Sequence, residues 1–565
     1  MRKITGFLVS ILNPFCQKTL HWIFSRCKNT LLICYFTIIG GSPLAFADVC
    51  TDTVSIIDPA PLVNGWGLNK ENHRFVTQAS AGVRPDLLND LAVKWVFAVA
   101  DTDAPHTQPL ITSNTVVIGD GSGGVYALDR DTGCERWRFD AGSVVRTAIR
   151  YIQTEKHHLV SFGTLEADVF ALDIMTGEQR WRVKVGEHPQ AMVTGSSVDH
   201  EGIIYQPISS WEVFWSLNPF YSCCDFRSSI VAMDALTGKI LWRSYTIDEP
   251  AKVTKPRLIF GDRRGPSGAP VWSQPAIDVK RNRLYVGTGE NYSAPVTDTS
   301  DAILAFDLTT GEKVWSQQFL TGDAWTAACA SPLDANCPEE DGPDLDFGAP
   351  PILVTLGNKD YILAGQKSGD VYALDPDNNG QKLWGYKASN GGMAGGVHFG
   401  MAINETRGAL YVPISDRDVG IIGENPPGKP NPSLHALDIV SGEPIWTVPA
   451  PGNCLDKDKN KPIKDCHVGL SAAVTVTEDI VFAPSLDGHL YAFAASNGEL
   501  LWSYNTVRDY SAVNDIDASG GAIDLGGVYL EGGQLFVSSG YGQIGQLSGN
   551  AFIVMEVPSV HQEKK

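Results

Sequence analysis

One phrase recurs along this chain, and it restricts the fold more than any other feature of the sequence. A short apolar run ends in Asp, a polar turn containing Gly follows, and a second run carries a Trp four residues after the Gly. Apolar runs on either side of a Gly-containing polar turn are typical of a β-hairpin. There are seven copies, of which only the last lacks the Asp: VYALDRDTGCERW (125–137), VFALDIMTGEQRW (169–181), IVAMDALTGKILW (230–242), ILAFDLTTGEKVW (303–315), VYALDPDNNGQKLW (371–384), LHALDIVSGEPIW (434–446) and LYAFAASNGELLW (490–502).

The repeat predicts an all-β fold, an eight-bladed β-propeller. Another strand-like run precedes each phrase, for example NRLYVGTG (282–289), so each unit is interpreted as a four-stranded antiparallel blade. LAVKWVFAV (91–99) has a Trp strand with no hairpin before it, and GNAFIVMEV (549–557) has a hairpin strand with no Trp after it. Together these N- and C-terminal strands would complete an eighth blade and close the ring without exposed edges.

The tryptophans of the repeat are interpreted as packing residues between blades, because a large indole recurs at one position of every unit. The spacing between neighbouring tryptophans rises from 42 residues to 73 in the middle of the chain. Insertions in a propeller form loops at its faces, where binding sites lie, so we expect the functional residues between about 190 and 420. The tryptophans are Trp95, Trp137, Trp181, Trp242, Trp315, Trp384, Trp446 and Trp502.

The first 47 residues differ in composition from the rest of the chain. They hold five basic residues and no acidic ones. They end in the apolar stretch LLICYFTIIGG (31–41) followed by SPLAFA (42–47). This order is typical of a secretory signal peptide. We predict a signal peptide over 1–47, a propeller over 48–565 and a periplasmic protein with no stable membrane insertion; a retained anchor is the alternative. The net charge of −20 argues against nucleic acid as a partner.

Cysteine use fits an exported protein. Eight cysteines follow residue 47, and an even number favours disulfides in an oxidising compartment. We predict local pairing where two cysteines are close in sequence within polar loops, and assign the remaining four to two further pairs. The alternative for the two neighbouring cysteines is that they are bonded elsewhere. The predicted pairs are Cys329–Cys337, Cys454–Cys466, Cys50–Cys134 and Cys223–Cys224.

The loops between the repeats carry a second set of motifs: SSWE (209–212), CCDFRSS (223–229), VWSQPAID (271–278), GTGENYS (287–293), DLDFGAPP (344–351), GQKSGDVYALD (365–375) and GGVHFGMA (395–402). With the Trp repeat, they resemble the quinoprotein alcohol dehydrogenases, which bind pyrroloquinoline quinone (PQQ) on the axis of an eight-bladed propeller. The resemblance covers essentially the whole chain after residue 47. Within that family the loops look most like those of the polyvinyl-alcohol dehydrogenases, which often carry a cytochrome domain as well. No Cys-x-x-Cys-His motif occurs in this sequence, so we expect no covalently attached haem.

The resemblance implies a PQQ site built from four side chains. Trp272 matches the family's tryptophan beneath the quinone, and Asp346 matches the catalytic aspartate that takes the proton of the alcohol. Lys367 matches a cation placed against the quinone oxygens, and Arg146 is a candidate partner for a PQQ carboxylate. The alternatives are a core tryptophan and solvated surface charges, and Asp344 is the rival of Asp346 as the base.

The resemblance also implies a calcium ion held by oxygen ligands. The family ligands are a Glu, an Asn and often the catalytic Asp, here Asp346. This sequence departs from that pattern, since the Asn position falls on Glu290, with Asn291 next. The Glu position falls near the neighbouring cysteines, and Glu212 is the candidate to supply that carboxylate. The alternative is that Glu212 and Glu290 are ordinary loop acids.

Cys223 and Cys224 immediately precede the first hairpin strand of the third repeat. Several members of the family stack a disulfide of neighbouring cysteines on PQQ, although they carry it on a different blade. By that analogy we predict that Cys223 and Cys224 form a lid or wall of the PQQ pocket.

These residues together predict a PQQ- and calcium-dependent alcohol dehydrogenase acting on secondary or polymeric alcohols. The resemblance implies hydride transfer to PQQ and a separate cytochrome c as electron acceptor. The alternative is a non-enzymatic propeller that acts as an assembly scaffold in the cell envelope. We favour the enzyme, because a bare scaffold has no need of Trp272, Asp346 and the cysteine pair together.

Overall fold

Eight four-stranded antiparallel sheets follow one another along the chain in the computed structural model, and together they form the predicted eight-bladed β-propeller. The structure describes residue 50 and residues 57–100, 102, 107–153, 157–417, 429–456, 461–543 and 545–558. The signal peptide predicted over 1–47 lies outside these residues. Among the described residues, the helices are all too short or too polar to cross a membrane.

We number the blades in chain order and give their four strands by residue. Blade 1 consists of Leu110–Thr112, Thr115–Gly119, Gly124–Asp129 and Glu135–Asp140, and blade 2 of Arg150–Gln153, His158–Gly163, Asp168–Asp173 and Gln179–Lys184. Blade 3 consists of Val198–His200, Ile203–Ser210, Ser229–Asp234 and Ile240–Tyr245, and blade 4 of Ala276–Asp278, Arg283–Gly287, Ala302–Asp307 and Lys313–Gln318. Blade 5 consists of Ile352–Leu356, Lys359–Gly365, Asp370–Asp375 and Gln381–Lys387, and blade 6 of Ala402–Asn404, Ala409–Ile414, Ser433–Asp438 and Pro444–Pro449. Blade 7 consists of Thr475–Val476, Ile480–Pro484, His489–Ala494 and Leu500–Asn505.

Blade 8 joins the two ends of the propeller, as the sequence predicts. Its first three strands are Val528–Glu531, Gln534–Ser539 and Ala551–Glu556, and its fourth is Ala92–Ala98. The pairing is antiparallel, with Trp95 opposite Val554. This arrangement leaves no blade with a missing outer strand.

The Gly and the Trp of the repeat contact each other across neighbouring blades. Gly133 has a φ of +76°, and a Cβ atom there would lie 2.7 Å from the ring of Trp95 in the preceding blade. The Nε1 of Trp95 donates a hydrogen bond to the carbonyl of Arg130 in the same turn at 3.0 Å. Glycine is therefore needed both for a left-handed backbone and for close approach. The same contact to the preceding blade's Trp recurs at Gly177, Gly238, Gly311, Gly380, Gly442 and Gly498.

Burial explains why the strands differ in sequence. The second strand of blade 1 (115–119) is buried along its length, because neighbouring blades cover both of its faces. In the outer strand of blade 2 (179–184), Trp181 alone is buried, and the neighbouring side chains are polar. The hydrophobic core thus lies between blades rather than in one centre.

The remaining elements are short and lie in the connections. The helices are Gln78–Ala81 and Glu212–Trp215, with 3-10 turns at Pro85–Asp90, Ala327–Ala330 and Pro376–Asn378. Two short strands extend blades: Pro61–Val63 pairs with the first strand of blade 1, and Ala191–Met192 pairs with the second strand of blade 3. The other short strands form two-stranded ribbons, which pair Lys252–Lys255 with Arg263–Gly265, Ser267–Gly268 with Asn291–Ser293, Leu455–Asp456 with Lys461–Pro462, and Asp509–Tyr510 with Ala518–Ser519. All four predicted disulfides are present: Cys50–Cys134, Cys223–Cys224, Cys329–Cys337 and Cys454–Cys466.

Candidate active site

The predicted site residues all lie at one end of the propeller. Successive strands of a blade are antiparallel, so the connections between second and third strands share an end with the connections between successive blades. Every predicted site residue belongs to one of these two kinds of connection: Arg146, Glu212, Cys223, Cys224, Trp272, Glu290, Asn291, Asp346 and Lys367. The hairpin turns with Asp and Gly lie at the opposite end.

Trp272, Asp346 and Lys367 are in direct contact, although they come from three different connections. The Nε1 of Trp272 donates a hydrogen bond to Oδ2 of Asp346 at 3.0 Å. The Nζ of Lys367 donates to the same oxygen at 2.8 Å and lies 5.3 Å from the centroid of the Trp272 ring. The main-chain N–H of Lys367 donates to the carbonyl of Asp346 at 2.9 Å, which fixes the two loops together.

Three buried carboxylates, those of Glu290, Asp344 and Asp346, meet beside this group. One oxygen from each lies within 4.8 Å of the others. The Nζ of Lys367 bridges two of them, since it also donates to Oδ1 of Asp344 at 2.9 Å. The main-chain N–H of Glu290 donates to Oδ1 of Asp346 at 3.1 Å. Several buried carboxylate oxygens at this spacing are the donor set that hard cations prefer.

The electrostatics of the three carboxylates differ. Burial raises the pKa of Glu290 well above its usual value, and the charges of Asp346 and Asp344 raise it further. Burial also raises the pKa of Asp344, although Lys367 opposes the shift. Burial acts in the same direction on Asp346, but its contacts with Lys367 and Glu290 outweigh it and hold the pKa of Asp346 below the usual value. Asp346 is therefore the carboxylate that stays ionised, as a base requires.

Two further buried acids border the cluster, and the sequence did not single them out. Asp323 accepts hydrogen bonds from the main-chain N–H groups of Asp344 and Leu345 at 3.3 and 3.0 Å. Burial raises the pKa of Asp323 to about 6. Among the described residues, the carboxylate oxygens of buried Asp301 have no hydrogen-bond partner. Nothing in the local sequence distinguishes these acids from solvated loop acids, because only the packing of distant loops buries them.

His398 lies against Trp272, with ring centroids 5.9 Å apart in an edge-on arrangement. Its Nδ1 is 2.8 Å from the hydroxyl of Ser471. Burial, followed by the charges of Lys367 and Arg146, lowers the pKa of His398 well below its usual value, so the ring is neutral. The residue belongs to the GGVHFGMA motif, but its role was not predicted from the sequence.

Polar groups with no protein partner surround Trp272. Arg146 lines a narrow cavity together with Trp272 and Trp66, and within the described residues no hydrogen bond or ion pair engages its guanidinium. The buried Nε1 of Trp66 and Oγ of Ser273, in the same cavity, and Nε2 of Gln366, next to Lys367 in the chain, are also without partners there. A flat aromatic floor ringed by a free cation and unused donors suits a planar, polyanionic ligand rich in acceptor oxygens.

The Cys223–Cys224 disulfide lies at the same end of the propeller but in a different packing cluster from Trp272. It is buried with Phe226 and Tyr292, and Tyr292 follows Glu290 by two residues. Main-chain hydrogen bonds hold the pair against residues 262–264, with Cys223 N donating to the carbonyl of Asp262 at 3.0 Å. Tyr292 thus connects the disulfide to the carboxylate cluster. The predicted role of the Cys223–Cys224 disulfide as a lid or wall of the PQQ pocket stays a prediction.

The structure does not bring Glu212 and Asn291 into the carboxylate cluster. The oxygens of Glu212 accept hydrogen bonds from the main-chain N–H groups of Asp225 and Phe226, both at 2.9 Å, and form a separate group with His188. The side-chain amide of Asn291 joins two loops, because its Oδ1 accepts from Thr297 N at 2.8 Å and its Nδ2 donates to the carbonyl of Ser267 at 3.0 Å. Both residues hold loops in place, and their predicted roles as metal ligands stay predictions; the carboxylates of Glu212 and Asp225 with His188 form a second group that could hold a metal ion.

Comparison with known proteins identifies the family of this chain. Residues 64–390 match the PQQ family model, described as the glucose/ethanol/alcohol dehydrogenase β-propeller domain. Residues 367–530 also match the model of the outer membrane protein assembly factor BamB. The chain is 36% identical over 508 residues to a polyvinylalcohol dehydrogenase of Pseudomonas sp, covering 87% of this chain and 76% of that one. It is 34% identical over 517 residues to the polyvinylalcohol dehydrogenase of Sphingopyxis sp. (strain 113P3), covering 89% and 76%.

A solved structure shares the fold. The quinohemoprotein alcohol dehydrogenase from Comamonas testosteroni superposes with a TM-score of 0.60 at 18% sequence identity. The match covers 87% of this chain and 80% of that one.

Proposed function

The chain belongs to the PQQ-dependent alcohol dehydrogenases, and on that basis we propose that Trp272, Asp346 and Lys367 form its catalytic centre. The observation that carries the proposal is the contact of all three side chains around Oδ2 of Asp346. A lysine and several carboxylates buried together serve no purpose in a bare scaffold, where each would destabilise the fold.

When bound, PQQ supplies the orthoquinone that accepts a hydride from the alcohol carbon. The indole of Trp272 would support its flat face, and the guanidinium of Arg146 would pair with one of its carboxylates. Lys367 would neutralise negative charge near its oxygens. Cys223 and Cys224 would border the pocket on the side of Tyr292.

Asp346 has the properties of the general base. Its pKa is held below the usual value by Lys367 and Glu290, so it is ionised at neutral pH and can accept a proton from a substrate hydroxyl. The hydrogen bond from Trp272 fixes the orientation of the carboxylate. Lys367 and the N–H of Glu290 favour the ionised form, so a proton taken up at Asp346 would be passed on readily and the base would be regenerated.

Glu290, Asp344 and Asp346 are the residues we propose as ligands of a calcium ion. Their oxygens are hard donors, and a divalent cation among them would favour the ionised forms that burial opposes. Glu212 and Asn291 remain predicted ligands, but their contacts with Asp225, Phe226 and Thr297 favour a structural role.

The proposed substrates are secondary alcohols, including polymeric ones, as the names of the two related dehydrogenases suggest. We further propose that a separate cytochrome c accepts the electrons and that residues 1–47 direct export to the periplasm.

The test is reconstitution of the full chain with PQQ and Ca²⁺, each alone and together. We expect dye-linked oxidation of a secondary alcohol only with both, and a change in PQQ absorbance on binding. Oxidation with a nicotinamide cofactor alone would overturn the proposal. Reduction of cytochrome c in place of the dye tests the acceptor separately.

A further inference from the structure

Three loops at the site end of the propeller are joined into one surface. The side-chain amide of Asn336 donates to the carbonyl of Asn218 at 3.0 Å. Gly261 N donates to the carbonyl of Pro219 at 3.0 Å, and Arg257 donates to Oδ1 of Asn336 at 2.6 Å. The three loops comprise residues 211–222, 256–264 and 323–345, all from the enlarged middle blades.

The tips of these loops present apolar side chains to solvent. Leu258 is 100% exposed, Ile259 74%, Phe220 67% and Leu333 61%. Phe220 also contacts Phe260, with ring centroids 6.1 Å apart. Single exposed apolar residues are common, but a group carried on loops that are bonded to each other indicates an interaction surface. We call these five residues the apolar platform.

The platform loops are attached directly to the catalytic centre. Residues 323–345 begin and end at the carboxylate cluster, since Asp323 accepts a hydrogen bond from Leu345 N at 3.0 Å. Asn291 N, next to Glu290, donates to the carbonyl of Asp323 at 3.1 Å. The second loop is bonded to the cysteine pair through Asp262. The platform is therefore carried on loops whose bases are bonded to residues of the site.

We propose that the apolar platform binds the hydrocarbon backbone of a polymeric secondary alcohol outside the catalytic pocket. The inference rests on the proposed function and names how its substrate is held. Each chain segment of such a polymer offers a narrow apolar face. Charged groups beside the platform, the exposed Lys255 and Glu339 and the partly exposed Arg263, can bond its hydroxyls. Binding at a second point raises the effective concentration of the remaining hydroxyls near Asp346.

The size of the platform favours a polymer segment over a protein. A stable protein–protein interface uses roughly 20–30 residues on each side. The platform offers five apolar side chains at the tips of loops. A second copy of this chain would find too little surface there for a stable interface, whereas a polymer thread needs a contact only a few side chains long.

The test compares two double variants of the full chain. Phe220→Ser with Ile259→Ser removes the centre of the platform, and both side chains are exposed, so the fold should persist. Leu236→Ser with Val440→Ser is the matched control, because these residues are 49% and 56% exposed in hairpin turns at the opposite end. Binding to immobilised polyvinyl alcohol is measured without added PQQ, and KM is measured for that polymer and for pentane-2,4-diol with a dye acceptor.

We expect the platform variant to bind the polymer about tenfold more weakly and its polymer KM to rise by a similar factor, as for loss of two interface anchors. The KM for the diol should change less than twofold, and the control variant should match the wild type. Unchanged polymer binding in the platform variant, or an equal loss in the control, overturns the inference. Light scattering measures the oligomeric state of both proteins. A dimeric wild type and a monomeric platform variant that binds the polymer equally well would show that the platform joins two copies of the chain, which also overturns the inference.

The experiment separates this inference from the proposed function. A wild-type protein that oxidises the diol but does not bind the polymer contradicts the platform alone. A protein that binds the polymer through the platform but oxidises no alcohol in the presence of PQQ and Ca²⁺ contradicts the proposed function alone.

Discussion

The indole N–H of Trp272 donates a hydrogen bond to Oδ2 of Asp346 at 3.0 Å, across 74 positions of sequence. The carboxylate is thereby oriented by the same side chain that would support the cofactor. Lys367 approaches the same oxygen from a third loop. The proposed base, cofactor support and cation are thus positioned by one another.

Replacing Asp346 should remove the base while keeping the shape of the site. In Asp346→Asn the amide can still accept a hydrogen bond from Trp272, so PQQ binding should persist. Turnover should fall by a factor on the order of 100 or more. Asp344→Asn is the comparison variant, because Asp344 also contacts Lys367 but is not bonded to Trp272. As a proposed calcium ligand it should need more Ca²⁺ for full turnover but keep the base. Near-normal turnover in Asp346→Asn with an inactive Asp344→Asn would show that Asp344 is the base.

Removal of the Cys223–Cys224 and Cys50–Cys134 disulfides should change the stability of the protein by very different amounts. Cys223 and Cys224 are neighbours, so their bond closes almost no loop, and the double change to Ser should leave the melting temperature nearly unchanged. Cys50 and Cys134 are 84 residues apart, and loss of that bond should lower the free energy of unfolding by about 4.5 kcal/mol.

If the neighbouring cysteines line the PQQ pocket, their loss should appear as weaker PQQ retention on gel filtration. Mass spectrometry of unreduced peptides should find both sulfurs within one tryptic fragment. A double Ser variant with full activity and a much lower melting temperature would mean that the pair only stabilises the fold.

A pair of Gly→Ala changes can isolate the contact between blades. Gly133 and Gly142 have φ of +76° and +71°, but a Cβ at Gly133 would meet Trp95 at 2.7 Å and one at Gly142 would meet nothing within 4 Å. Gly142→Ala should therefore lower the free energy of unfolding only by the cost of placing alanine in a left-handed backbone conformation, about 1–2 kcal/mol. Gly133→Ala should lower it by about 1–3 kcal/mol more, because the indole must shift. Equal urea midpoints for the two variants would argue against this role of the glycine.

Acid should destabilise the protein through His435 in blade 6. Burial lowers the pKa of His435 from 6.5 to about 4. As pH falls below 6.5 the unfolded chain binds a proton that the folded chain binds only near pH 4, so stability decreases across that window, by roughly 3 kcal/mol in total. His435→Gln does not titrate and can still bond Ser433. The fall in melting temperature from pH 7.5 to pH 5 should be smaller in this variant, and an identical fall would disprove the assignment.

The fold could be predicted because its signals are local. Each Gly lies four residues before the Trp of its own blade and contacts the Trp of the preceding blade. The regular spacing of Gly and Trp in the sequence therefore reflects the packing of neighbouring blades. The disulfide pairs followed similarly from short separations and elimination.

The site was less predictable because it depends on long-range packing of loops. Trp272, Asp346 and Lys367 were identified through a family resemblance, and nothing in their spacing showed that they meet. The sequence also does not show that Glu212 accepts hydrogen bonds from residues 13 and 14 positions later, and its predicted role as a metal ligand stays a prediction. Asp323, Asp301 and His398 acquire their surroundings only when connections from different blades come together.

The closing blade has a consequence for biosynthesis. The strand Ala92–Ala98 leaves the ribosome early, but its partner Ala551–Glu556 follows about 450 residues later. At roughly 5–20 residues per second, this interval lasts between about 20 and 90 seconds. During that time the chain carries an unpaired edge on a nascent ring, so a chaperone that binds residues 92–98 would protect this protein until translation ends.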